Sequence, residues 1–435
     1  MGARHTALTA LIACRKAGAW SDSVLDAHIR RDKLDARDAA LATRLCYGVL
    51  QNRLLLDYYL QAFSGRRLAD LQPVVLDILR LGAYQLAFLD RVPASAAVNE
   101  AVEQTKRSAN RKAAGYVNGV LRALARGPLP EVSEKDRLER LSIAYSHPRP
   151  LLDLLAENVP EEALEPMLVA NNKVPATALQ VNPGRGSPAE LATMVPGGEV
   201  HPWLPDCVIG WRLGDPESLG AFAEGRFWVQ DPAAKLAVLA MDLKPDMRVL
   251  DACAAPGGKT FAAASAMDGT GRVLACDIHE NKLGRIAEGA NRLGLKTVQT
   301  RCLDAAKPEA ALTEGFDAVL LDVPCSGLGV IRKKPDIRYK DPGSLEGLPE
   351  IQIKILENRC NAVKKGGILL YATCTILKRE NEDVIAAFLA GHPEFAPQAF
   401  TLPGLGEVPA GMATLYPGGP LDTDGFFFCK LRRTT

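Results

Sequence analysis

The sequence predicts an α/β protein whose second half is a mostly parallel sheet, preceded by an all-α domain and a small α+β linker domain. Three observations carry this. Residues 1 to about 127 place apolar residues at helical spacing and show no alternating strand pattern. Pro and Gly crowd the stretch from Pro160 to about Gly225. From Arg226 onward, short apolar runs alternate with helical segments, the pattern of βαβ units with helices on both faces of a sheet.

The helical block is clearest in Leu41-Ala42-Thr43-Arg44-Leu45-Cys46-Tyr47-Gly48-Val49-Leu50 and again from Val74 to Leu86. Gly127-Pro128-Leu129-Pro130 punctuates its end. A charged helical segment follows from Val132 to about Asn158. The expected domains are therefore 1–130, 131–225 and 226–435. In the last of these, strands are expected at Met247–Asp251, Gly271–Asp277, Thr297–Cys302, Asp317–Asp322, Gly367–Ala372 and Gly425–Leu431, with helices such as Glu280–Leu293 and Ile351–Val363 between them. Residues 392–420 are rich in Pro and Gly and read as a long loop before the last strand.

Composition narrows the function less than the motifs do. A chain of 435 residues has room for two or three domains. It is 47% hydrophobic and 24% charged, ordinary for a globular protein. The net charge of +1 neither favours nor excludes nucleic acid, so local patches decide. No apolar run reaches the roughly 18 residues of a membrane span. Within Met1 to Gly18, the short apolar stretch from Ala7 to Cys14 runs directly into Arg15 and Lys16 and reads as the start of an amphipathic helix, not a signal peptide, so a cytoplasmic location is expected. The ten cysteines form no C-x-x-C pair and do not cluster with the six histidines, which argues against zinc and against a disulfide framework. Most are expected to be small buried apolar residues.

Two cysteines stand apart. Cys325 lies just past a predicted strand in Leu320-Leu321-Asp322-Val323-Pro324-Cys325-Ser326-Gly327, and Cys374 just past another in Leu369-Leu370-Tyr371-Ala372-Thr373-Cys374-Thr375. Ligands of open α/β sheets bind beyond the carboxyl ends of the strands, so both thiols are expected in one crevice. Val249-Leu250-Asp251-Ala252-Cys253-Ala254-Ala255-Pro256-Gly257-Gly258-Lys259-Thr260 is a strand, a small-residue turn and a helix start. Such a turn lets backbone amides approach a ligand closely. One reading is a phosphate loop, because Gly258-Lys259-Thr260 matches the end of that pattern, but Cys253 stands where its first glycine belongs. The other is a Rossmann-type nucleoside site, which needs an acid at the end of the next strand to hold ribose hydroxyls. Asp277 stands there, Asp304 follows the third strand and Asp322 the fourth. Each is weak alone; together with the turn they favour the nucleoside site. A thiol in such a site suits a pyrimidine. Addition of a thiolate to C6 makes C5 nucleophilic toward a methyl group, and a second group then helps the C5 proton leave.

The segments from Asp251 to Thr260, Asp322 to Gly327 and Tyr371 to Thr375 resemble the signature motifs of S-adenosylmethionine-dependent RNA 5-methylcytosine methyltransferases, most closely the bacterial ribosomal RNA small subunit methyltransferase B group. The likeness extends to Gln230-Asp231-Pro232-Ala233-Ala234 and to Asp424-Gly425-Phe426-Phe427, and the first block resembles a NusB-like RNA-binding domain. It covers nearly the whole chain and is most specific over residues 226–435. The resemblance implies methylation of C5 of a cytidine in 16S ribosomal RNA. It implies Cys374 as the nucleophile on C6 and Cys325 as the group assisting proton removal or release. In the DNA enzymes the cysteine after proline attacks instead, so the presence of both favours RNA. It further implies that Cys253, Ala254, Ala255, Pro256, Gly257, Gly258, Lys259, Asp277, Lys282, Asp304 and Asp322 line the S-adenosylmethionine site, with Lys259 and Asp322 also reaching the base. Lys282 stands where many relatives have Arg, and Pro150 where a tryptophan is frequent.

Two basic runs fit an RNA partner. Ala101 to Arg126 holds six cations, among them Arg107, Arg111 and Lys112, against the single acid Glu103. Val330 to Lys340 holds five, among them Arg332, Lys333 and Lys334, against Asp336. Solvated faces also look like this, but beside Cys325 a phosphate-tracking role is expected. The target base must be unpaired or flipped out. A monomer with no metal and no membrane partner is expected. The rival readings are a degenerate P-loop NTPase, a non-catalytic RNA-binding or assembly factor on the same fold, and a thiol redox protein with a Cys325–Cys374 disulfide.

Overall fold

The structure, a computed structural model, describes residues 2–17, 21–211, 213–340 and 342–434. It divides into two compact units, one of Met1–Lys173 with Ile331–Pro342 and one of Val174–Val330 with Gly343–Thr435. Among the described residues no helix is long and apolar enough to cross a membrane.

The first unit is helical. Its first helix runs Ala3–Ala17; the expected ends at Met1 and Gly18 lie outside the described residues. Asp35 caps the helix Ala36–Gln51 by accepting the Asp38 amide at 2.8 Å, and Pro73 opens the helix Pro73–Phe88, where a missing N–H costs nothing. Leu45, Val49, Leu56, Leu60, Ile78, Leu79, Val117 and Leu121 supply its core. The helices Arg137–Tyr145, Arg149–Asn158 and Glu161–Asn171 belong to this unit as well, so it runs past the boundary expected near residue 130. Pro128 and Pro130 end a helix without ending the packing: the Leu55 amide donates to Ser146 Oγ at 3.1 Å.

Residues 331–342 belong to this unit too, far from it in sequence. Arg338 is 1% exposed. Its guanidinium donates to the carbonyls of Gln51, Tyr145, Ser146 and Asn171 and to Asn172 Oδ1, at 2.9 to 3.3 Å. Burial lowers its pKa to about 10. Tyr339 donates to the Leu50 carbonyl at 2.8 Å. The basic run expected to track phosphate is therefore divided: Arg332 and Arg338 are buried, and Lys333 and Lys334 are exposed. A buried arginine ringed by carbonyls reads in sequence like any other surface charge.

The second unit carries two main sheets. Strands β1 (Thr177–Val181), β2 (Glu199–Val200), β3 (Cys207–Gly210) and β4 (Phe227–Val229) form an antiparallel sheet in the order β2-β3-β1-β4. The larger sheet contains β5 (Arg248–Asp251), β6 (Arg272–Asp277), β7 (Val298–Cys302), β8 (Phe316–Asp322), β9 (Val363–Thr373), β10 (Phe395–Pro397), β13 (Met412–Leu415) and β14 (Phe426–Arg433). A separate hairpin pairs β11 (Phe400–Leu402) with β12 (Gly406–Val408). The main order is β10-β14-β9-β8-β5-β6-β7, with β13 beside β14. Strands β5 to β9 pair in parallel, and β14 closes against β9 antiparallel. Residues on β8 alternate between the two faces: Ala318 and Leu320 pack toward Phe261, Ala263 and Phe428, and Val319 and Leu321 toward Leu356, Ile385 and Phe427. Both faces are dry, as a parallel sheet requires. The long loop expected over 392–420 instead contains four short strands. Runs of three or four residues leave too few alternations to be read as strands.

Replacement of Arg338 by Met leaves several buried carbonyl oxygens without a donor. Arg338→Met is expected to lower stability to urea unfolding by about 3 kcal/mol, and Lys333→Met by less than about 0.5 kcal/mol. Equal losses for the two variants would contradict the buried role.

Candidate active site

The site is built where β8 and β9 end. Their register pairs Asp322 with Ala372, and the Val323 amide donates to the Ala372 carbonyl at 3.1 Å. Cys325 and Cys374, three and two residues further on, therefore emerge side by side. Their sulfurs lie 3.3 Å apart, and both are part-buried. The hydroxyls of Ser326 and Thr375 latch the two loops at 2.7 Å. The Gly329 amide donates to the Cys374 carbonyl at 3.0 Å, and the Gly425 amide to the Gly329 carbonyl at 2.8 Å. A Cβ on Gly329 would collide with the Gly425 carbonyl, so only glycine permits this approach.

Lys259 reaches the same place from the turn that follows β5. Its Nζ donates to Asp322 Oδ2 at 2.7 Å and lies 4.9 Å above the Phe426 ring. Burial works against its charge, but Asp322 outweighs that, with Cys374 adding to it, and the ammonium is held above its usual pKa. Cys325 keeps its proton: its contact with Cys374, then burial, then the Glu380 charge push its pKa well up. Cys253 is likewise pushed well up by burial and by Asp251, Asp322 and Asp277. Of the three thiols here, Cys374 is the one whose charge the Lys259 ammonium feels.

The turn from Ala252 to Gly258 has the shape of a cradle. The Ala254 amide donates to the Cys276 carbonyl at 2.8 Å. Gly257 sits at φ +111°, where a side chain would also meet the Phe261 ring, and the helix Gly258–Ala266 starts behind it. Asp277 at the end of β6 accepts the Ala255 amide at 3.3 Å and the His279 amide at 2.9 Å. These bonds fix a carboxylate that still has lone pairs for hydroxyl groups. Asp304, past the end of β7, accepts the Ala306 amide at 3.0 Å and pairs with Lys307 at 3.3 Å. Lys282 is exposed on the helix Glu280–Leu293. Asp251, Asp277, Asp304 and Asp322 thus stand at four strand ends of one sheet. Arg107, Arg111 and Lys112 lie in the helical unit and are exposed.

Three residues near the site were not singled out by sequence reasoning. Asp251 is fully buried; Thr260 donates to its Oδ2 at 2.7 Å while Oδ1 has no partner. Its place at a strand end was the available signal. Glu380 and Asn381 are also fully buried, within Lys378-Arg379-Glu380-Asn381-Glu382-Asp383, which looks like a solvated run.

Residues 238–432 match the family model described as 16S rRNA methyltransferase RsmB/F, and residues 1–126 match the NusB family. The chain is 38% identical over 441 residues to a Bacillus subtilis protein named probable ribosomal RNA small subunit methyltransferase B, covering 99% of this chain and 98% of that protein. It is 35% identical over 416 residues to the ribosomal RNA small subunit methyltransferase B of Klebsiella pneumoniae, covering 92% and 91%. Among solved structures, PH0851 aligns with a TM-score of 0.78 at 26% identity over 99% of this chain and 98% of that one. A methyltransferase homologue from Pyrococcus horikoshii aligns with a TM-score of 0.58 at 25% identity over 69% of this chain and all of that one.

Burial, offset in part by Thr260, raises the Asp251 pKa to about 7. The unfolded chain releases this proton near pH 3.9. Between about pH 4 and 7 the folded protein therefore holds more protons, and this group weakens the fold as pH rises. Stability measured by urea unfolding is expected to fall from about pH 5 to pH 8, and Asp251→Asn to flatten that slope. An unchanged slope in the variant would show that Asp251 does not titrate there.

Proposed function

Because this chain belongs to the ribosomal RNA small subunit methyltransferase B family, we propose that it methylates C5 of a cytidine in 16S ribosomal RNA through a covalent adduct at Cys374. The observation that supports this most directly is the 3.3 Å contact between Cys374 and Cys325, with Lys259 and Asp322 beside them. A lone reactive thiol would serve many reactions. Two thiols in unlike surroundings, next to a paired lysine and carboxylate, suit attack on one side of a pyrimidine double bond and release from the other.

The Cys253–Lys259 turn, Asp277 and Asp304 would hold S-adenosylmethionine, which would supply an electrophilic methyl group and depart as S-adenosylhomocysteine. The fit rests on this chain: the turn has no side chain larger than Cys or Pro before Lys259, and Asp277 is fixed by two backbone amides. Cys374 attacks C6 as the thiolate, forming the Sγ–C6 bond and placing the electron pair of the C5–C6 double bond on C5, which then takes the methyl group. Lys259 holds Asp322 in place, and the pair is positioned to hydrogen-bond the polar edge of the cytosine. Cys325 hands its proton to the Cys374 sulfur, 3.3 Å away, as the Sγ–C6 bond breaks, and the thiolate left on Cys325 takes the C5 proton; the C5–H electrons rebuild the C5–C6 double bond and both cysteines end as thiols. Uncharged Cys325 also donates a hydrogen bond that steadies Cys374 before attack. The family removes the P-loop reading of Gly258-Lys259-Thr260. Arg107, Arg111, Lys112, Lys333 and Lys334 are the exposed cations proposed to track phosphate.

Two results are expected. With a small-subunit rRNA transcript, Cys374→Ala abolishes methyl transfer, a loss of more than about 10³-fold, and yields no RNA-linked band on a denaturing gel. Cys325→Ala accumulates that band; a trapped band with Cys374→Ala would reverse the two roles. Replacing Arg107, Arg111 and Lys112 together by Ala should lower the slope of log affinity against log salt by roughly 0.7–0.9 for each phosphate that is no longer neutralised. An unaltered slope would remove this face from the RNA interface.

A further inference from the structure

We infer that Glu380 and Asn381, adjacent in sequence and both fully buried, are positioning residues that each hold one thiol: Asn381 holds Cys374 and Glu380 holds Cys325. This rests on the adduct mechanism proposed above and assigns its two halves to two side chains.

Asn381 brackets Cys374. Thr373 donates from Oγ1 to Asn381 Oδ1 at 2.6 Å, and Asn381 Nδ2 donates to the Thr375 carbonyl at 3.1 Å. Both residues flanking the nucleophile are thus tied to one amide. Asn381 occupies the N-cap position of the helix Glu382–Gly391, where an asparagine ordinarily accepts a backbone amide of its own helix. It makes no such side-chain cap bond here. Its hydrogen-bonding capacity goes to the Cys374 loop instead.

Glu380 brackets Cys325 in the same manner. Its Oε2 accepts the Ser326 amide at 2.9 Å and Gln352 Nε2 at 3.0 Å. Gln352 Nε2 also donates to the Pro324 carbonyl at 3.0 Å. The residues before and after Cys325 are therefore held by Glu380, one directly and one through Gln352. The Glu380 backbone is itself pinned, its carbonyl accepting the Tyr371 hydroxyl at 2.6 Å. Burying a carboxyl is costly unless it is hydrogen-bonded, and here Oε2 accepts both bonds while Oε1 has no partner. What these hold is the backbone on both sides of a thiol. Because one dipeptide carries both clamps, the spacing of the two sulfurs is set from a single point of the chain, while each clamp acts on a different step.

The test is single-turnover reaction of the full chain with S-adenosylmethionine and a small-subunit rRNA transcript, following the covalent RNA band with time. Misplacing a reacting group by about 1 Å costs up to about a hundredfold, so effects of at least about tenfold are expected. Asn381→Ala should form the band at least about tenfold more slowly and accumulate none. Glu380→Ala and Gln352→Ala should form it within about twofold of the unmodified rate and clear it at least about tenfold more slowly. Glu380→Gln, which keeps an oxygen for the Ser326 amide, should restore clearance to within about threefold. S-adenosylhomocysteine binding by calorimetry reports on the fold independently, since the cofactor turn lies on other strands. If the variants slow formation and clearance alike, or lose that binding together, Glu380 and Asn381 are structural and the inference fails. If Cys374→Ala and Cys325→Ala themselves do not separate formation from clearance, the adduct mechanism fails instead.

Discussion

Parallel pairing of β8 with β9, in the register that sets Asp322 opposite Ala372, is the constraint from which the site follows. Side chains on a strand alternate faces, so a slip of one residue would carry every side chain of β8 to the opposite face, among the wrong neighbours. Alternating burial on both faces of β8 makes that slip expensive. The two loops therefore leave the sheet at one fixed place. Gly329, on the loop after β8, holds the Cys374 carbonyl past β9 and accepts the Gly425 amide before β14, and Phe426 then covers Lys259.

Within that frame the two thiols have unlike surroundings. Two sulfurs at 3.3 Å cannot both carry charge easily, because like charges at short range raise one another's pKa. Cys325 keeps its proton, because its contact with Cys374, its burial and the Glu380 charge all push its pKa up. The Lys259–Asp322 pair is only partly exposed, at 12% and 26% of the two side chains, so solvent screens it less than a surface pair. The same lysine thus joins the turn after β5 to the end of β8. Asp231 does similar double work outside the chemistry: it accepts the Ala233 amide at the start of one helix and the Asp424 amide at 3.2 Å, joining two motifs nearly two hundred residues apart.

Much of this was legible in one dimension because strand ends of a parallel sheet carry a strong signal: an apolar run closed by Asp or Cys. The helix Glu280–Leu293 and the strands ending at Asp251, Asp277, Cys302 and Asp322 stand where the pattern puts them. The start of β9 did not show, because Lys364-Lys365-Gly366-Gly367 interrupts its apolar pattern and the pairing with β8 shifts register between Phe316 and Ala318. Arg338, Glu380 and Asn381 were illegible for one shared reason. A charged or polar run does not reveal whether carbonyls and amides distant in sequence close around it. Burial of such a residue is a property of the fold, and only three-dimensional proximity displays its partners.

In the proposed mechanism Cys374, and not Cys325, bonds to C6. A small-subunit rRNA transcript carrying 5-fluorocytidine tests it on the unaltered protein. Fluorine cannot leave C5 as the proton does, so the adduct cannot resolve after methyl transfer. Nuclease and protease digestion followed by mass spectrometry should find the nucleotide on the peptide containing Cys374. Recovery of the nucleotide on the Cys325 peptide, or on neither, would contradict the assignment of Cys374 as the nucleophile.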